Sequence, residues 1–172
     1  MFTNQEAEYL LKLPKFIYEK DRKLLEKRFN EPFIWNIQFG LIAKDEENIY
    51  DFIWGIWQSE KNLLKMSLHH QDDETKTGLF RIDYNSGHIN PAKLTDKVPK
   101  KFHPFAGKRF SIKEHHVHYH VEGYKSLAWA LPIAFDNFPY KNLYASNILD
   151  IVSEFGNFIN LQTKLFINKK LL

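Results

Sequence analysis

"FIWNIQFGLIAKDEENIYDFIWGIWQS", residues 33–59, is where the hydrophobic period of this chain becomes two. In its first half Phe33, Trp35, Ile37, Phe39 and Leu41 point one way, and Asn36, Gln38 and Gly40 the other. That is the alternation of a half-buried strand. "KDEEN" supplies a turn, and "IYDFIWGIWQS" is apolar on both faces, as a central strand would be. Two neighbouring strands joined by a polar turn set the expectation of an antiparallel sheet.

The same period continues downstream. After a short turn at Ser59 and Glu60, Leu64, Met66 and Leu68 alternate with Lys65, Ser67 and His69. Beyond the polar loop "QDDETKT", Phe80, Ile82 and Tyr84 of "GLFRIDYN" face inward, with Arg81 and Asp83 outward. "HHVHYHVEG", residues 115–123, reads as a further strand, and "SLAWALPIAF" as its continuation, ended by Pro132. "LQTKLFINKK" reads as a last strand at a sheet edge, where lysines discourage aggregation.

Helices are expected at both ends of the chain. Thr3 and Glu6 have the spacing of a capping box, and Pro14 ends the helix that carries Leu10 and Leu11. "EKDRKLLEKRFN" adds a further helical turn or two. Ser146 is placed to cap an amphipathic helix whose apolar face is Ile148, Val152, Phe155 and Ile159. The fold class is therefore α+β: a meandering antiparallel sheet with N-terminal and C-terminal helices packed on one face, in a single domain spanning residues 1–172.

Composition bounds the function. Aromatics make up 16% of the chain, led by fifteen Phe, which suits a thick β-rich core. The absence of cysteine removes disulfides, zinc ribbons and thiol catalysis, and fits a cytoplasmic protein. "MFTNQEAEYL" lacks the regions of a signal peptide, and "LAWALPIAF" is too short to cross a membrane, so no membrane partner is expected. A net charge of +3 allows a nucleic-acid partner without indicating one. Neither a Gly-rich phosphate loop nor a GxSxG elbow is present.

Alternation puts Val117, Tyr119 and Val121 on the core side, leaving His116, His118 and His120 on the other, successive members about 6.8 Å apart. If the strands neighbour one another, these histidines share a face with Arg81, Asp83, Lys65 and His69. Three readings compete for that face. It is a wet strand surface, or it holds a metal through His116 and His118 with His120, Asp83 or Glu122 as third ligand. Or it performs acid–base catalysis with no cofactor, His116 and His118 as base and acid, Arg81 stabilising charge and Asp83 orienting a ring. Cleavage of RNA through its own 2′-hydroxyl is the reaction such a set serves best.

Residues 85–110 read as one long irregular excursion, a length of loop that often carries function. It adds His88 to the candidate catalytic group, and Asn90, Lys100, Lys101, Lys108 and Arg109 to the candidate substrate contacts. Phe102, Phe105 and Phe110 interleave with its basic residues, a pattern suited to base stacking and equally to a loop anchored by its rings. Trp54, Trp57 and Trp129 are expected in the core.

"LLKLPK", "LFRIDYNSGHINP" and "HVHYHVEGYKSLAWALP" resemble a family of small bacterial and mobile-element proteins of unknown function, along most of the chain. The resemblance implies roles for Arg81, Asp83, His88, Asn90, His116, His118, Glu122 and Trp129. His120 departs from the pattern, where an aromatic residue is expected, which favours the pair His116 and His118 over a three-histidine cage. In size and charge the chain is also similar to anti-CRISPR proteins that act on guide RNA. That likeness implies RNA, or an RNA–protein complex such as Cas9 with its guide RNA, as the partner. The rival expectation is a non-catalytic inhibitor or binding module.

Overall fold

The computed structural model describes residues 2–29 and 36–164. Its longest strands form the hairpin of β2 (Asn36–Lys44) and β3 (Ile49–Gln58), paired antiparallel from Asn36 opposite Trp57 to Lys44 opposite Ile49. β4 (Met66–Asp72) and β5 (Gly78–Tyr84) extend it on one side. Then come β8 (His116–Tyr119) and β9 (Trp129–Pro132), while β1 (Lys15–Ile17) pairs with β2 at the opposite edge. The seven strands run in the order β1-β2-β3-β4-β5-β8-β9 with every pair antiparallel, so the α+β expectation holds.

One face of this sheet is the core. Phe39, Phe52, Trp54, Leu68, Phe80, Ile82, Val117 and Trp129 are sealed from solvent, as alternation required. α3 (Ile148–Phe158) lies on this face, with Phe155 stacked on Trp54 at 5.9 Å and on Phe80 at 5.5 Å between ring centroids. α1 (Asn4–Lys12) starts at the expected capping box and buries Ala7, Leu10 and Leu11. Phe33, Trp35 and most of "LQTKLFINKK" lie outside the described residues.

Four local readings change. β1 follows Pro14 directly, and α2 (Glu19–Phe29) is a full helix rather than a turn or two. "LAWALP" is not a continuation of β8. The chain reverses through Gly123, whose φ of 81° suits glycine, and returns as the antiparallel β9. Ser146 does not cap α3, because a 3₁₀ turn at Ala145–Asn147 intervenes and the helix begins one residue beyond it.

The 85–110 excursion is ordered by its own structure. β6 (His88–Ile89) pairs with β7 (Arg109–Phe110), and Lys100–Phe105 forms a 3₁₀ helix. Asn90 is its clip: its amide donates to the Phe105 and Ala130 carbonyls and accepts from the Ala130 N–H. That satisfies an edge position of β9 which would otherwise be open to pairing. The excursion wraps this edge. Phe102 meets Trp129 and Tyr119 on the apolar face, while His88 and Phe110 close over His116 and His118 on the other.

Candidate functional site

Register brings the expected residues together. Across β4, β5, β8 and β9 one row reads His69, Arg81, His118, Ala130, and the next reads Ser67, Asp83, His116, Pro132. The face is not a wet one at this end. His116 and His118 have 0% exposure, because the β6–β7 hairpin covers them.

Each imidazole is oriented by the backbone. A carbonyl only accepts, so His118 Nδ1–H donates to Leu127 O at 2.9 Å and His116 Nδ1–H to Glu114 O at 2.8 Å. In the neutral rings both Nε2 atoms therefore carry lone pairs. Both are aimed at Asp83 Oδ2, 3.0 Å from His118 Nε2 and 3.5 Å from His116 Nε2. Arg81 partly fills the gap. Its Nη2 donates to His118 Nε2 at 2.9 Å, and its Nε lies 2.9 Å from Asp83 Oδ2. His116 Nε2 is buried with no hydrogen-bond partner among the described residues.

Burial acts to raise the Asp83 carboxyl, but Arg81, and the two imidazoles whenever their Nε2 carries a proton, outweigh it and hold the group well below the usual carboxylate range. Burial pulls His118 down to about 4, although Asp83 acts to raise it. His69, across from Arg81, is likewise pulled to about 4 by burial and then by Arg81, and its Nε2 has no partner among the described residues. His88 Nε2–H is shared between Ala128 O and Asn90 Oδ1, and its ring stands edge-on to His118 at 4.5 Å.

The carbonyl that fixes His118 comes from a strained residue. Leu127 has φ of 52°, the left-handed region, although it is bulky and buried. Such strain persists only where the surroundings enforce it, and it collects at functional sites. Gly78 is part of the enforcement: a Cβ there would stand 2.5 Å from Leu127 Cδ1, and its N–H donates to Ser126 Oγ. Gly78→Ala is expected to lose about 1–3 kcal/mol in urea denaturation, because Leu127 must move. An unchanged midpoint would show that the 126–127 turn is free to shift.

The remaining candidates scatter. His120 falls beyond the end of β8, where alternation stops, and its Nε2–H donates to Phe2 O; it does not join Asp83, His116 and His118. Lys108 pairs with Glu114 at 2.7 Å, Lys100 and Arg109 are exposed, and Lys101 lies over the Tyr119 ring on the apolar side. His70 has apolar parity and packs on Phe52, away from the site. Trp54 and Trp129 are core, but Trp57 is 42% exposed with Lys65 Nζ over its ring at 5.7 Å. Trp57 stands opposite Ser67 in the Asp83–His116 row, so the exposed half of the polar face carries an aromatic that was expected inside. Even alternation could have found it, since Trp57 opposes Phe52, Trp54 and Ile56 in parity.

A family model described as "Family of unknown function (DUF6978)" matches residues 2–161. No curated protein and no solved structure matches the chain. No helix among the described residues is long and apolar enough to cross a membrane.

Proposed function

The chain belongs to the DUF6978 family, whose description assigns no activity, and from that premise we propose that Asp83, His116 and His118 form a divalent-metal centre for RNA phosphodiester cleavage. The observation that carries the reading is the pair of buried Nε2 lone pairs converging on one carboxylate oxygen. Three electron-pair donors, one from each residue, lie within 4.8 Å of one another. Without a cation among them they repel, and Arg81 serves only two of the three. Two imidazoles with a carboxylate form a donor set suited to zinc, iron or manganese, with positions left for water and substrate. The Nδ1–H bonds to backbone carbonyls are the outer-shell support that metal-binding histidines use.

A bound ion would supply an activated water and polarise a phosphoryl oxygen. Asp83, His116 and His118 would hold it, and the β6–β7 hairpin would exclude bulk water. Arg81, with its side chain 30% exposed, is the member of the cluster that reaches solvent and holds the phosphate. Trp57, Lys65, Ser67 and His69 continue the face outward as a surface for the bases and backbone. The anti-CRISPR-type role, with guide RNA in a complex such as Cas9 as substrate, belongs to the same proposal. So do the bacterial mobile-element source and the cytoplasmic site of action.

The second reading uses the same residues without metal, as base, acid and charge stabiliser. The 3.0 Å contact of Asp83 with His118 favours it. Full burial of both rings weighs against it, because acid and base must exchange protons with the reacting groups.

Metal content of the purified protein and cleavage of RNA with and without chelator separate the readings. Stoichiometric zinc, iron or manganese, with cleavage that stops in chelator and returns on adding the ion, is the expected result. Cleavage that persists in chelator would replace the metal reading with the acid–base one. RNA left intact by metal-loaded protein would leave a binding module.

A further inference from the structure

A second candidate site lies on the other side of β8. A cavity of about 430 Å³ opens between α1, the 3₁₀ helix Lys100–Phe105 and the end of α3. That is the volume of a small-molecule site. Leu11, Leu79, Phe102, Tyr119 and Phe158 make its walls apolar and largely aromatic. Asn4, Glu8, Lys12, Lys101, His120 and Asn137 are its polar lining, and two of them stand out.

The first is His120. It is 6% exposed, and its Nε2–H donates to Phe2 O at 2.8 Å, so in the neutral form of the ring the lone pair is at Nδ1. That Nδ1 has no partner among the described residues. A buried acceptor without a donor is unfavourable, and a ligand N–H or O–H would relieve it. The second is Lys101, whose Nζ sits 3.6 Å above the Tyr119 ring at the cavity rim. Nearby Lys12 and Glu8 neutralise each other in an ion pair at 2.5 Å. Among the lining residues that leaves the charge of Lys101, which Asp136, bonded to the Tyr119 hydroxyl outside the lining, also faces.

We propose that this cavity binds a small flat organic anion. Its ring system lies against Phe102, Tyr119 and Phe158, its anionic group meets Lys101, and an N–H or O–H donates to His120 Nδ1. The site is independent of the metal centre, since Tyr119 and His118 point to opposite faces of β8.

Anilinonaphthalene sulfonate has all three elements and reports binding by fluorescence. Saturable one-to-one binding to the native full chain is expected. Phenylnaphthylamine, which keeps the rings and the N–H but lacks the sulfonate, should bind at least roughly tenfold more weakly. Lys101→Met changes a rim residue and should cause a similar loss with the thermal midpoint unchanged. Ala7→Trp places an indole in the cavity and should abolish binding. Unsaturable binding, or equal affinity for both probes and for Lys101→Met, would overturn the proposal.

Discussion

Substituting His118 by alanine is expected to weaken divalent-metal binding by well over about 100-fold, and to reduce RNA cleavage to background. Loss of an outer-shell partner alone typically removes about 10–100-fold, and His118 is a donor atom itself. The remaining His116 Nε2 and Asp83 Oδ2 stand 3.5 Å apart and offer only two of the three electron pairs. Arg81→Gln should separate binding from chemistry. Its guanidinium touches His118 Nε2 and Asp83 Oδ2, both at 2.9 Å, so it competes with an ion for the same lone pairs. Without it the metal should bind more tightly, while cleavage falls because the phosphate loses its cation. Titration with zinc and with manganese, beside single-turnover cleavage assays, reads both quantities. If Arg81→Gln weakens metal binding, or His118→Ala retains it, the three donors do not form a metal centre.

The cluster of Arg81, Asp83, His116 and His118 was partly legible in the sequence because strand parity is a local property. Alternation in "GLFRIDYN" and "HHVHYHVEG" put Arg81, Asp83, His116 and His118 on one face, and the β5–β8 register sets Asp83 opposite His116 and Arg81 opposite His118. What parity cannot give is the cover. His116 and His118 are sealed by a hairpin closed through His88–Phe110 pairing and through Asn90, which reaches Ala130 forty residues away. The same limit explains His120. Alternation extended one residue past Tyr119, where the strand ends, and His120 turned instead to Phe2. The Leu127 carbonyl had no sequence signal, since nothing in "SLAWALP" marks a left-handed leucine. β1 leaves no sequence signal for a different reason: three residues after a proline are too few to show a period.

β1 also carries the largest expected effect on stability. Lys15→Met should destabilise the protein by about 3–5 kcal/mol in urea denaturation, the range for removing one partner of a buried charged network. Lys15 has 0% exposure, and its Nζ lies within hydrogen-bond distance of four carbonyls, which share the three N–H of an ammonium: Leu10 at 2.8 Å, Leu11 at 3.0 Å, Leu13 at 2.9 Å and Ile159 at 3.0 Å. Three of these belong to the end of α1, whose last carbonyls have no partner within the helix. The fourth follows α3. One amine thus ties both helices to the sheet edge, and methionine fills its volume while leaving the carbonyls bare. The effect has a pH signature. Burial pulls Lys15 down to about 7, below the roughly 10.4 of an unfolded lysine. Between those values the unfolded chain binds the proton more readily, so native stability rises with pH across the window and is lowest below it. Methionine has no such slope, and the gap between wild type and Lys15→Met should widen from pH 6 to pH 9. A gap that stays constant would mean that the four carbonyls keep the amine charged throughout, and a gap under about 1 kcal/mol would mean that water satisfies them instead.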